Sequence, residues 1–201
     1  MSRLILASQS PRRRELLAAL GISFDVIPSR ADETLREGLP VADAIEEVAV
    51  RKAREVAEGV GGPCWVLGAD TAVVLDDEVL GKPRDRHDAE AMLRRLSGRA
   101  HRVVTGLALV GGARIRRVSA VTEVRFRPLT EEQIAWYASG EEPYDKAGAY
   151  AIQGRGAFLV EAIEGSYTNV VGLPVREVVR LLEAERLSPW PPGAEGEGGR
   201  D

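Results

Sequence analysis

The sequence predicts an α/β domain, on three observations. Leu4–Ala7 reads as a short buried strand, and Cys64–Leu75 is an apolar run too continuous for an exposed strand, so it reads as a central one. Between them, Val41, Ala44, Ile45, Val48, Ala49, Ala53 and Val56 recur with the helical period. Beyond them, His101–Val110 and Arg114–Phe126 flank Gly111-Gly112-Ala113, a hairpin signal.

In chain order, the first strand is followed by Ser10 and Pro11, which read as an N-cap and the first helical position. That helix runs through Leu16, Leu17 and Leu20 and stops at Gly21. Its first turn holds Arg12, Arg13 and Arg14, the wrong charge for the positive end of the dipole, at a cost of ~0.3–1 kcal/mol each. A broken local rule of this kind points to function. Free N–H groups, the dipole and arginines together suit a phosphate chain; a solvated basic patch is the plain alternative.

Phe24–Pro28 reads as a second strand, followed by a polar loop with Asp32 and Glu33. These acids are either solvated or supply a carboxylate to a divalent cation. Pro40 opens a long helix ending near Gly59, with Lys52 in its second half, where a cation suits the dipole. Asp70 interrupts the central strand, and uncompensated burial there would cost several kcal/mol. It therefore lies in a cleft or is paired in the core. Gly68 leaves room for close approach of another group.

Asp76-Asp77-Glu78 is a polar turn, and Gly81-Lys82-Pro83 an extended segment. The latter is no Walker-type phosphate loop, because Pro83 replaces the needed Ser/Thr and the upstream Gly is missing. A helix follows from Asp85 to Leu96, and Thr105 and Thr122 are sheet residues. Thr130-Glu131-Glu132-Gln133 is a capping box opening a helix to about Ser139. Glu142–Ala157 is Gly-rich, charged and aromatic without a regular period, the mark of a functional loop. Phe158–Ile163 is a strand, Glu164-Gly165-Ser166 a turn, and Val175 to about Leu187 a last amphipathic helix. Residues 1–187 are expected to form one domain, with Ser188–Asp201 a disordered Pro/Gly-rich tail.

Composition narrows the class. The chain has 201 residues, 44% of them hydrophobic, enough for a sizeable core. A net charge of −4 argues against a general nucleic-acid binder. Cys64 is the single cysteine, so no internal disulfide forms, which fits a reducing cytoplasm. The N-terminal apolar run is too short for a signal peptide, and no stretch approaches the ~18 apolar residues of a membrane span. Only Lys52, Lys82 and Lys146 are lysines among 27 basic residues, and Asn169 is the single asparagine.

The polar outliers fall at strand ends and in loops: Ser8, Arg12, Arg13, Glu33, Lys52, Asp70, Lys82, Asp145, Lys146 and Gln153. Carboxylates with lysines and arginines are what metal-assisted phosphoryl chemistry needs. His87 and His101 are too few and too far apart for a zinc site, and no serine has a nucleophile-elbow setting.

Four stretches resemble the Maf septum-formation family, nucleoside triphosphate pyrophosphatases related in fold to inosine triphosphate pyrophosphatases. They are Leu6–Leu17; Gly68–Leu75 with Gly81-Lys82-Pro83; Leu96–Thr105; and Asp145–Ala157 through Asn169–Pro174. The resemblance implies an α/β fold with a central mixed twisted sheet, flanking helices, and two lobes with a cleft between them. It implies cleavage between the α- and β-phosphates, giving a monophosphate and pyrophosphate. It makes Asp70 the acid/base, Glu33 and Asp70 carboxylates for Mg²⁺ or Mn²⁺, and Lys82 a catalytic cation. Arg13 and Lys52 bind phosphate beside it, and Ser8 shares the pocket. Arg12, Thr71 and Gln153 match the branch acting on dTTP and UTP; the Gln amide offers both a donor and an acceptor to a pyrimidine edge. The family often dimerises. A nucleotide-sensing regulator of septum formation is the alternative reading.

Overall fold

The computed structural model describes residues 3–190 and places a mixed sheet of seven strands at the centre. In chain order the elements are β1 (Arg3–Ala7), α1 (Pro11–Ala18), β2 (Asp25–Val26), α2 (Val41–Gly59), β3 (Cys64–Leu75), β4 (Glu78–Leu80) and α3 (Arg86–Leu96). Then come β5 (Ala100–Gly111), β6 (Arg114–Phe126), α4 (Glu131–Ala138), β7 (Val160–Glu164), α5 (Tyr167–Val171) and α6 (Val175–Ala184). The sheet order is β2-β1-β3-β5-β6-β7, with β4 folded back on β3. β1 runs parallel to β2 and β3, and the remaining pairs are antiparallel.

The long strands and helices fall where hydrophobic period places them. The capping box at Thr130 forms with both of its hydrogen bonds. The differences lie in short elements. β2 is reduced to two residues, and β7 begins at Val160 rather than Phe158. Asp76 and Asp77 both take positive φ, 50° and 65°, the turn that lets β4 pair back on β3. α5, which was not expected, is a five-residue turn of helix capped by Ser166. Ser188–Trp190 begin the expected tail, and there the Trp190 indole donates to Glu183 at 2.9 Å; residues 191–201 of that expectation lie outside the described residues.

The core divides along β3. Trp65, Leu67 and Ala69 pack with α1 and α6, whereas Val73 and Leu75 pack with β4, α3 and α4. Val66 joins a third cluster under α2. Asp70 sits at the division.

α2 lies unusually close to the sheet because two strand positions lack a side chain. A Cβ on Gly68 would collide with the Ala49 carbonyl oxygen, and one on neighbouring-strand Gly106 would lie 2.7 Å from Glu46 N. The room left by Gly68 is therefore filled by a helix of the protein itself. That approach brings Lys52, one turn beyond Ala49, onto Asp70.

Candidate active site

A cleft of about 610 Å³ opens at the start of α1, within the range of small-molecule sites. Ser8, Arg12, Arg13, Glu33, Lys52, Asp70, Thr71, Lys82 and Gln153 all line it. Residues from six separate regions of the chain thus meet at one place.

The three arginines of α1 part company. Ser10 caps the helix, accepting from Arg13 N at 3.4 Å, and Pro11 holds the first helical position. Arg14 is exposed and takes no part in the cleft wall. Arg12 reaches Asp145 across the mouth at 3.9 Å. Arg13 turns inward. Its Nε donates to Gly172 O at 2.7 Å, Nη1 to Ala69 O at 2.9 Å and Ser8 Oγ at 3.5 Å, and Nη2 to Thr71 Oγ1 at 3.0 Å. Burial works to lower its pKa, opposed by the charges of Asp70 and Glu33. Thr71 likewise has its hydroxyl engaged, with Arg13 and with Thr105 Oγ1 at 2.9 Å.

Lys52 is the hub. It is 7% exposed, and its Nζ donates to Asp70 Oδ1 at 2.6 Å while lying 2.7 Å from Glu33 Oε1. α2 also shapes the loop that delivers Glu33. Its Glu55 accepts from the amides of Arg30 and Ala31 at 2.8 and 2.9 Å, and its Arg51 donates to the carbonyls of Asp32 and Thr34. The two acids of that loop thereby separate. Asp32 accepts from Thr34 N and Oγ1 in a local turn, and Glu33 points into the cleft. Desolvation opposes the Glu33 charge, but the Lys52 hydrogen bond, then the charges of Lys52, Lys82 and Arg13, outweigh it and hold its carboxyl below the usual range.

The far wall is the Glu142–Ala157 loop. Glu142 organises it, with Oε1 accepting from Tyr137 OH and Gly156 N, both at 2.8 Å, and Oε2 from Arg155 N at 3.1 Å. Gly148 N donates to Gly81 O at 3.0 Å, tying the loop to the segment that carries Lys82. Lys82 is exposed and makes no ion pair among the described residues. Lys146 instead pairs with Asp145 and donates to Glu142 O at 2.7 Å. Gln153 is exposed at the rim, its side chain capping nothing. Tyr150 also lines the wall, its hydroxyl 2.7 Å from Nε2 of the buried His101. Sequence reasoning singled out neither Tyr150 nor the Gly172 carbonyl; the latter is backbone and leaves no side-chain signal.

Residues 3–185 match the family of Maf-like proteins. The chain belongs to the Maf family. Among Maf relatives, the protein of Symbiobacterium thermophilum named dTTP/UTP pyrophosphatase is 54% identical over 182 residues, covering 90% of this chain and 93% of that protein. A protein of the same name from Myxococcus xanthus is 53% identical over 188 residues, covering 93% and 95%. The Maf chain also shares its fold with the Ham1 protein of Staphylococcus aureus, at a TM-score of 0.53, 13% identity and coverage of 92% and 98%. The HAM1 protein of Coxiella burnetii gives a TM-score of 0.51 at 18% identity, covering 92% and 100%. No helix among the described residues is long and apolar enough to cross a membrane.

The donor set fits a hard divalent cation. Glu33 and Asp70 each place one oxygen on Lys52, and the second oxygen of each has no hydrogen-bond partner among the described residues. Two carboxylates suit Mg²⁺ or Mn²⁺ completed by water and phosphate oxygens. No cluster of three or more His, Cys, Asp or Glu able to cage an ion occurs among the described residues.

Proposed function

We propose that this protein hydrolyses nucleoside triphosphates, dTTP and UTP foremost, to the monophosphate and pyrophosphate. One observation carries the reading: Lys52, Lys82, Arg12 and Arg13 converge with Glu33 and Asp70 in one cleft at a helix start. The names of the Symbiobacterium and Myxococcus relatives support the substrate class.

The triphosphate lies against the start of α1, where the Arg12 and Arg13 side chains and the helix dipole favour an anion. Lys82 is a cleft cation that makes no ion pair among the described residues, so it is free to meet phosphate oxygens. Lys52 holds Oδ1 of Asp70 and leaves Oδ2, which has no hydrogen-bond partner among the described residues, as the proton acceptor. Water attacks the α-phosphorus in line, its proton passes to Asp70, and the bond from the α-phosphorus to the bridging oxygen breaks. Pyrophosphate departs with the electron pair, its charge stabilised by Lys82 and Lys52. Glu33 and Asp70 are the residues that would hold Mg²⁺ or Mn²⁺, whose chemistry there is neutralisation of phosphate charge. At the rim, the Gln153 amide presents a donor and an acceptor to the O4 and N3–H of a pyrimidine.

The deciding experiment is product analysis over a panel of nucleoside triphosphates with Mg²⁺ or Mn²⁺, separating pyrophosphate from orthophosphate. Pyrophosphate from dTTP and UTP, with little from purines or 7-methyl-GTP, is the expected result. Orthophosphate would place the broken bond elsewhere. Binding without turnover under both metals would make the protein a nucleotide-sensing regulator.

A further inference from the structure

Beneath the cleft, a closed ring of hydrogen bonds starts and ends on Arg13. A hydroxyl has one proton, and that of Thr105 goes to Asn169 O at 3.3 Å. Thr71 therefore donates to Thr105 across their 2.9 Å contact, and accepts from Arg13 Nη2. The same Asn169 carbonyl accepts from Gly172 N at 2.9 Å, and Gly172 O accepts from Arg13 Nε at 2.7 Å. Gly172 ends α5 with φ of 118°, which is what turns its carbonyl onto the arginine.

Asn169 is fixed in turn. It is fully buried, and its Nδ2 donates to Val103 O at 3.1 Å and Thr122 Oγ1 at 2.9 Å, which settles the orientation of the amide. Thr122 is held by Ser166, whose Oγ caps α5 at Asn169 N. Four of the five Arg13 N–H groups are engaged inside the protein, leaving one, on Nη2.

We propose that Thr105 and Asn169 are positioning residues that aim this one remaining Arg13 N–H at a phosphate oxygen, so that Arg13 acts as a fixed single donor rather than a two-pronged clamp. Neither residue lines the cleft. The proposal rests on the triphosphate reading of the site. A small misplacement of a binding group costs rate or affinity out of proportion to the distance. The lone asparagine of the chain stands at the point where both arms of the ring meet.

The test is Thr105→Val, which keeps the side-chain shape and removes the hydroxyl, with Thr105→Ser as the rescue. The probes are inorganic tripolyphosphate, by calorimetry, and the exchange of the Arg13 Nε–H, by nuclear magnetic resonance. In folded Thr105→Val, tripolyphosphate affinity is expected to fall about tenfold, and KM for the nucleotide to rise more than kcat falls. The Arg13 Nε–H, protected in the wild type, is expected to exchange faster, and Thr105→Ser to restore both readouts. A folded Thr105→Val that binds tripolyphosphate as the wild type does would overturn the proposal. Should Thr105→Val fail to fold, the wild type still decides, because an unprotected Arg13 Nε–H overturns the ring. A wild type that binds neither tripolyphosphate nor nucleotide would overturn the triphosphate reading instead, with the Nε–H signal unaffected.

Discussion

The ammonium of Lys52 lies 2.6 Å from Asp70 Oδ1 and 2.7 Å from Glu33 Oε1, so a single buried cation holds together two carboxylates brought from a strand and a loop. Lys52→Met leaves those carboxylates without the cation that joins them, with only the more distant Arg13 and Lys82 charges to offset them. Removing one partner of a buried pair costs 3–5 kcal/mol; the exposure of Glu33 reduces this to about 2 kcal/mol here. Urea unfolding measures the loss, and pyrophosphate release is expected to drop at least ~100-fold alongside it.

Asp70→Asn separates chemistry from architecture. The amide still accepts from Lys52 through its oxygen, so the melting temperature is expected to stay close to that of the wild type. Turnover should fall by ~10²–10⁴, the usual contribution of a positioned base. Near-full activity in this variant would remove Asp70 from the mechanism.

Lys82 behaves differently because it is exposed and has no ion pair among the described residues. Lys82→Ala should leave the unfolding free energy within about 0.5 kcal/mol of the wild type. Steady-state kinetics should show a clear loss in kcat/KM. A large stability change would mean that the side chain has a structural partner.

Gly68→Ala tests the close approach of α2. The added methyl meets the Ala49 carbonyl oxygen, so the helix must move away from the sheet and carry Lys52 with it. A stability loss of about 3 kcal/mol is expected, together with lost activity, although position 68 touches no substrate. Calorimetric melting and turnover on the same sample check both.

His101 makes stability depend on pH. Burial pushes its pKa down from 6.5 to about 4, so between these values the unfolded chain takes up a proton that the folded protein refuses. Its contribution is complete above about pH 6.5 and declines as the pH falls toward 4, by about 3 kcal/mol. His101→Phe should flatten that part of the curve when unfolding is measured between about pH 7 and pH 5.

Periodicity and punctuation made the long elements legible: the α2 stripe, the β5–β6 hairpin and the capping box of α4 are local patterns. Elements too short to show a period were not legible. β4 spans three residues paired with β3 across a two-residue turn, and α5 is a single turn marked by one serine. The cleft residues could be named because charge is conspicuous in strands and helix starts. Their internal bonding could not, since Arg13 is held by backbone carbonyls and by residues 56 to 159 positions away. Gly68 shows the same limit: the sequence announced that something comes close, and only the fold shows that it is α2.

The division of the core along β3 has a thermodynamic consequence. Arg13 lies on a helix anchored by Leu17 in one cluster, Lys52 is flanked by Ala49 and Ala53 of another, and Lys82 follows Leu80 of the third. On the proposed reading of the site, a bound polyanion would therefore cross-link three hydrophobic cores through their cations. Ligand at 100 times its Kd adds about 2.7 kcal/mol to the unfolding free energy. That increment belongs to the whole cooperative unit, because melting any one core scatters the charges that hold the ligand.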